Sequence, residues 1–227
     1  MKTLQKLGGF AALYLAVAYL IGMSLFLFIL DYPGITDSVQ KVALLVDKQW
    51  IIFSTNLLMY VFFGVFLIVL SLALYDRLKS RSPAILQVAT AVGITWAGSL
   101  IASGMIANAG MPPAVALYAE DTAQAAIIWQ AVESVANGLG NANGEILGGL
   151  FTLLVSLTVL RAGGLPRVLC ILGLAVGTVG IISIIPVLTD LLVGVFGLSQ
   201  MVWFVWLGIT LLRSNCRMTA HSFAEAG

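Results

Sequence analysis

Charged side chains are scarce in this chain: they make up 9% of its 227 residues, whereas hydrophobic residues make up 60%. An average soluble domain carries roughly 25% charged residues. The mean hydropathy of +1.05 therefore indicates that most of the surface faces lipid rather than water. We expect an integral membrane protein. The net charge of +1, with no basic aromatic patch, indicates no nucleic-acid partner.

Histidine and cysteine are also scarce, which excludes several kinds of site. The chain has one histidine, His221, and two cysteines, Cys170 and Cys216, without a Cys-x-x-Cys or Cys/His grouping. A disulfide or a metal site is therefore not expected. With a single histidine, the chain lacks the residues that a histidine-based metal site, a haem site or a Ser/His catalytic site would need. We predict no catalytic residue, no metal ligand and no cofactor, and an intramembrane enzyme is the least favoured function.

Long apolar runs fill the rest of the chain. A helix needs about 20 apolar residues to cross a bilayer, and six segments approach or exceed that length. They predict an all-α bundle in one domain, residues 1–213, followed by a disordered cytoplasmic tail at 214–227. The first run is longer than a signal-peptide core of roughly 7–15 residues, so we expect it to be retained. The predicted spans are 8–30, 50–75, 84–107, 142–160, 167–185 and 193–212.

The connector at 108–141 is the longest between predicted spans. Its apolar residues Ile127, Ile128, Ala131 and Val135 follow a helical spacing. This spacing predicts an amphipathic helix, which either lies on the membrane surface or runs into the fourth span as one long helix. Trp50 and Trp129 flank apolar runs, where tryptophan is typical of an anchor at the membrane interface.

Basic residues are distributed unevenly between the two predicted sides of the membrane. With the N-terminus inside, the outer side holds only Lys41 and Lys48, and this bias predicts a multi-pass protein of the cell (inner or plasma) membrane with both termini cytoplasmic. The cytoplasmic side then holds Lys2, Lys6, Arg77, Lys79, Arg81, Arg161, Arg167, Arg213 and Arg217.

One stretch carries a family resemblance. The segment GGLPRVLCILGLAVG at 163–177, with Pro186 and Asp190 behind it and a last span containing Trp203 and Trp206, is similar to bacterial membrane proteins of domain-of-unknown-function family 4386. The basic YDRLKSRSP loop after the second span also fits. The resemblance implies a six-helix integral membrane protein and supplies no activity or functional residue.

Polar side chains gather in the outer half of the predicted bundle. Glu145 lies about 24 Å along the helix from Arg161, which places it at hydrocarbon depth. An ionisable residue at that depth is a candidate site. Glu133, Asn137 and Asn141 precede it at four-residue spacing, although capping or turn formation is the favoured interpretation of the two asparagines. The predicted ligand-binding residues are Glu145, Asn141, Asn108, Asn56, Gln200 and Trp203.

These residues favour a binding, sensing or interaction module with an outward polar pocket. Its partners would be membrane lipid, a small or lipidic ligand, a second copy of the chain or another membrane subunit. A small-solute or proton-coupled transporter that uses Glu145 is the alternative, but transport needs polar groups along the whole path. The inner half of the predicted bundle offers little more than hydroxyl groups that can bond to their own helices.

Overall fold

The computed structural model describes residues 2–80 and 83–224. The chain is 90% helical, and no strand occurs among these residues. The described residues form the α-helices α1 Lys2–Met23, α2 Ser38–Asn56, α3 Phe63–Leu78, α4 Pro83–Tyr118, α5 Thr122–Asn137, α6 Asn143–Ala162, α7 Arg167–Ile182 and α8 Thr189–Ala224. Three wider π-helical segments occur at Ser24–Ile29, Leu57–Phe62 and Gly138–Ala142.

Two of the π segments join neighbouring α-helices into longer continuous helices. Leu57–Phe62 connects α2 to α3, and Gly138–Ala142 connects α5 to α6. The chain is therefore helical without interruption from Thr122 to Arg161 over 40 residues. Of the two arrangements considered for the 108–141 connector, its second part adopts the long helix that runs into the fourth span.

Five helices have the length and apolar composition needed to cross a membrane, among the described residues: Thr3–Ile29, Ser38–Leu78, Pro83–Tyr118, Thr122–Arg161 and Leu191–Arg213. The helix α7 is apolar but shorter, with 16 residues. Its length of about 24 Å falls below the ~30 Å of a hydrocarbon core. The all-helical fold with several long apolar helices is confirmed, and the sixth span stays a prediction.

Two helices extend beyond the bounds predicted for their spans. The third span was expected to end at 107, but α4 continues to Tyr118 through Pro112 and Pro113. Interior prolines each remove a helical hydrogen bond, and here the burial of Met111 and Ala114 on the same stretch stabilises the helix. The sixth span was expected to end at 212, and α8 continues to Ala224; the disordered cytoplasmic tail at 214–227 stays a prediction. Residues 225–227 lie outside the described residues.

The chain divides into two compact units. The first unit comprises Met1–Val17, Val65–Ala97 and Glu145–Gly227, and the second comprises Ala18–Gly64 and Gly98–Gly144. Large aromatic side chains fill the core of the first unit, where Trp96 lies against Phe151 and Phe204. The second unit has its own buried cluster, which consists of Leu30, Val42, Leu45, Ile52, Met111, Ala114, Ala125 and Trp129.

Candidate functional site

The second unit contains an open cleft. Its lining combines aromatic rings with amide, hydroxyl and carboxylate groups, which is the mixture typical of small-molecule sites. The lining residues are Phe26, Tyr32, Ile52, Asn56, Tyr60, Ser103, Ala107, Trp129, Glu133, Ala136 and Asn137.

Each of the three π segments borders this cleft. Phe26 lies within Ser24–Ile29, Tyr60 lies within Leu57–Phe62, and Asn137 directly precedes Gly138–Ala142. A π turn holds an extra residue relative to an α turn, so it changes the direction in which side chains project, and such turns are frequent at functional sites. The local helix distortions are therefore concentrated around the cleft.

One wall of the cleft is a network of aromatic and charged groups. Trp129 Nε1 donates to the Tyr32 hydroxyl oxygen at 2.9 Å. Lys41 Nζ donates to both carboxylate oxygens of Glu133, at 2.8 and 3.0 Å, and lies 4.9 Å from the centroid of the Tyr32 ring. Burial, followed by the Glu133 carboxylate, raises the pKa of the Tyr32 phenol, which keeps it protonated. The two charges at this wall neutralise each other.

A pair of asparagines forms another part of the site. Asn108 Nδ2 donates to the carbonyl oxygen of Phe53 at 3.2 Å. Because a carbonyl can only accept, this bond fixes the orientation of the Asn108 amide and leaves its Oδ1 to accept from Asn56 Nδ2 at 2.9 Å. Asn56 Oδ1 then has no partner among the described residues, although Asn56 is only 4% exposed and lines the cleft.

A third set of hydrogen bonds links the helices beside the cleft. The Tyr60 hydroxyl donates to Asn141 Oδ1 at 3.2 Å, and Asn141 Nδ2 donates to Asn137 Oδ1 at 3.0 Å. Ser103 Oγ donates to the carbonyl oxygen of Ala136 at 2.7 Å. These bonds hold Tyr60, Asn137 and Ser103 in place along the lining.

The first unit holds a separate buried polar group. Thr152 Oγ1 donates to Gln200 Oε1 at 3.0 Å. Three further atoms, Gln200 Nε2, Ser156 Oγ and Trp203 Nε1, are buried without a hydrogen-bond partner within the described part of the chain. A Cβ atom added to Gly173 would collide with Ser156 Oγ and lie 2.6 Å from Trp203 Nε1. This group packs against the glycine on α7.

The residues predicted to form one site fall into different groups. Asn56 and Asn108 are bonded to each other, and Asn141 is bonded to Tyr60 beside the cleft. Gln200 and Trp203 belong to the buried polar group of the first unit. Glu145, also assigned to the first unit, is partly buried and is not among the residues that line the cleft.

Glu145 continues the four-residue spacing of Glu133, Asn137 and Asn141 but does not line the cleft. The π segment Gly138–Ala142 lies between Asn137 and Glu145. The carboxylate of Glu145 has no hydrogen bond or ion pair to another side chain among the described residues.

Sequence patterns missed several lining residues. Tyr32, Tyr60 and Ser103 carry no distinguishing spacing, and the polar stripe pointed only to Glu133 and its neighbours. Trp129 was interpreted as an interfacial anchor, and this is wrong: the side chain is 4% exposed and is hydrogen-bonded within the protein. No local sequence pattern identifies Trp129 as a lining residue, because its hydrogen-bond partner Tyr32 lies 97 residues away in the chain.

No family model, curated protein or solved structure matches this chain. The resemblance to domain-of-unknown-function family 4386 therefore stays a prediction. The function proposed below is therefore inferred from the geometry of the cleft.

Proposed function

We propose that this chain is a non-enzymatic integral membrane protein that binds a small or lipidic ligand in the cleft of its second unit. The observation that carries the proposal is the Asn56 amide, which is almost fully buried, lines the cleft and has an oxygen without a partner among the described residues. This oxygen is not one of the fully buried unpartnered atoms, which is consistent with its exposure to the open cleft. A ligand that donates to it would gain the net contribution of one hydrogen bond, about 0.5–1.5 kcal/mol.

We further propose that the cleft opens on the side opposite the cytoplasm. The helix Ser38–Leu78 has 41 residues, about twice the number needed to cross a hydrocarbon core, and its backbone departs from helical geometry at Lys48. Its apolar part ends near the basic residues Arg77 and Lys79, and its other end carries Asp37, Lys41 and Asp47. The excess of basic residues near Arg77 favours a cytoplasmic location for that end.

Lipid contact supports the membrane assignment. Many large apolar side chains are exposed on the apolar helices, which suits a hydrocarbon environment and would be costly in water. Examples are Phe10 at 60%, Leu72 at 42%, Ile171 at 60% and Val202 at 50% exposure. We propose a multi-pass location in the cell membrane, with lipid as the main partner of these surfaces.

The test compares two alanine positions on α4. Ala107 lines the cleft, whereas Ala109, two residues along the same helix, is exposed and is not part of the lining. The parent, Ala107→Phe and Ala109→Phe are purified from their own membranes in mild detergent and examined by native mass spectrometry. We expect a small-molecule adduct on the parent and on Ala109→Phe, and its loss from Ala107→Phe. An adduct that survives in Ala107→Phe, or no adduct on any of the three, contradicts the proposal.

A proton-coupled transporter is the second candidate. It is favoured by the carboxylate of Glu145, which is partly buried and has no side-chain partner among the described residues. A carboxylate at membrane depth is typical of proton relays. In proteoliposomes with an imposed pH gradient, Glu145→Gln should abolish proton-driven uptake if the chain is a transporter. Unchanged uptake in this variant would remove Glu145 from such a role.

A further inference from the structure

We infer that the cleft of the second unit takes an uncharged amphipathic ligand whose polar end bears a hydroxyl or N–H hydrogen-bond donor. This inference rests on the proposed function and names the chemical class of its ligand. Three properties of the lining lead to it: an acceptor without a partner, charges that are already paired, and walls that are mainly aromatic or aliphatic.

The need for a donor follows from the asparagine pair. The bond from Asn108 Nδ2 to the Phe53 carbonyl oxygen fixes both amides, so the group that Asn56 presents is its Oδ1. An oxygen can be satisfied only by a donor, which excludes ethers, esters and other acceptor-only groups as the matching end of the ligand. A hydroxyl, amide or amine N–H meets the requirement.

The absence of net charge on the ligand follows from the Lys41–Glu133 pair. The side chains of Lys41 and Glu133 are 21% and 18% exposed and are joined in a bidentate contact. The third titratable group at this wall, Tyr32, stays neutral because burial and Glu133 raise its pKa. An ionic ligand would have to displace Lys41 or Glu133 from its partner or enter without a counter-charge, and desolvating an unpaired ion is costly.

The apolar part of the ligand is indicated by the remaining walls. Phe26, Ile52 and Trp129 bring two rings and a branched aliphatic side chain to the lining, and Ala107 leaves space beside them. Such surfaces favour an acyl chain or a flat ring, because burying apolar area contributes about 25 cal/mol per Å². The same chemistry is found in neutral lipids with hydroxylated headgroups and in water-soluble apolar alcohols.

A matched set of eight-carbon probes separates these requirements. The parent protein in phosphatidylcholine nanodiscs is titrated with monooctanoylglycerol, methyl octanoate, octanoate and octylammonium, and each apparent Kd is derived from the rise in Tm. A hydrogen bond to a buried acceptor corresponds to a preference of about tenfold. We expect monooctanoylglycerol to bind about tenfold more tightly than methyl octanoate. We expect it to bind at least about tenfold more tightly than octanoate or octylammonium.

Variants assign this preference to the cleft. In Asn56→Leu the tenfold preference for the hydroxylated probe should fall to about one, whereas Gln200→Leu, in the other unit, should retain it. If Asn56→Leu does not fold, Ala107→Phe provides the second test: it should lose binding of monooctanoylglycerol while Ala109→Phe keeps it. Equal binding of methyl octanoate, or tighter binding of either ion, overturns the inference, as does a preference that persists in the folded cleft variants.

The source of the ligand is distinguished by a second arm. Monooleoylglycerol placed in the nanodisc bilayer presents the same headgroup from the lipid phase, and 2-phenylethanol presents a donor and a ring from water. A rise in Tm with monooleoylglycerol that is lost in Ala107→Phe indicates a lipid ligand. The same result with 2-phenylethanol indicates a soluble alcohol. If an adduct is found on the purified protein but these uncharged donors do not bind, the inference fails while the proposed function stands. If neither is found, the proposed function fails as well.

Discussion

Among single residues, the orientation of one amide decides which hydrogen-bonding group the cleft presents. Asn108 uses its N–H on the Phe53 carbonyl and its oxygen on Asn56, so the amide of Asn56 cannot rotate without losing a hydrogen bond. The result is an acceptor held in a fixed position on an otherwise apolar and aromatic surface. Fixed polar groups of this kind provide orientation and specificity in small-molecule sites.

The ion pair between Lys41 and Glu133 at the cleft wall should contribute to stability only when both partners are present. Lys41→Met leaves the mostly buried Glu133 carboxylate without its cation, and the loss of hydrogen bonds to a charged group should lower the free energy of unfolding by about 2 kcal/mol. The double variant Lys41→Met/Glu133→Gln removes the stranded charge and should be more stable than Lys41→Met alone. Unfolding in a graded SDS titration measures both. A double variant less stable than the single one would contradict the pairing.

The buried polar group of the first unit should tolerate no added methyl at Gly173. Gly173→Ala places a Cβ against Ser156 Oγ and Trp203 Nε1, and overpacking of this kind costs about 1–3 kcal/mol. Ser156→Gly should relieve part of that loss in the double variant, as Tm measurements would show. Gly194→Ala is the control, since nothing lies within 4 Å of its added Cβ. Equal Tm values for Gly173→Ala and Gly194→Ala would contradict the packing described.

Among the helical elements, the π segments contribute Phe26 and Tyr60 to the lining, and a third π segment follows Asn137. Gly138–Ala142 lies between α5 and α6, and within it Gly140 is closely packed while Gly138 faces open space. A Cβ on Gly140 would collide with Ser103 Oγ and lie 3.0 Å from Tyr60 Cε1. The glycine is therefore required where this segment passes the cleft.

The two glycines of this segment give a matched comparison. Gly140→Ala should lower the free energy of unfolding by about 1–3 kcal/mol, because it displaces Ser103 from its bond to the Ala136 carbonyl. Gly138→Ala should be neutral or slightly stabilising, since alanine has the higher helix propensity. Tm values of the two variants in the same detergent test this difference. A Gly138→Ala variant as unstable as Gly140→Ala would show that the segment rejects any side chain.

Sequence patterns predicted the long apolar helices well because span length is set by bilayer thickness. They also pointed to Asn56, Asn108 and Asn141, because amides in an apolar run need partners. They could not predict the pairing of Asn56 with Asn108, which lie 52 residues apart, or the π segment at Gly138–Ala142. Helix continuation through Pro112 and Pro113 depends on tertiary packing, which a local proline rule does not contain.

At the scale of the whole molecule, the charge distribution predicts which ends of the helices face the cytoplasm. Glu120 and Lys79 are both exposed and lie at the ends of different helices. In a background with Cys170 and Cys216 replaced by serine, Glu120→Cys should react with a membrane-impermeant maleimide in intact cells. Lys79→Cys should react only after permeabilisation. The opposite pattern would reverse the orientation and place the cleft on the cytoplasmic side.

The same background tests whether α7 crosses the membrane. Val187 lies in the turn after α7 and is 92% exposed. If the six-span arrangement is correct, Val187→Cys should be labelled from outside intact cells, like Glu120→Cys. Labelling only after permeabilisation would mean that α7, with its 16 residues, does not span.

If the cleft of the second unit is a ligand site, the protein purified from its own membranes should carry its ligand there. Cryo-electron microscopy at a resolution that separates side chains would show the contents of the cleft. We expect non-protein density within hydrogen-bond distance, about 2.7–3.2 Å, of Asn56 Oδ1. An empty cleft in which Asn56 Oδ1 is bonded to another group of the protein would contradict it.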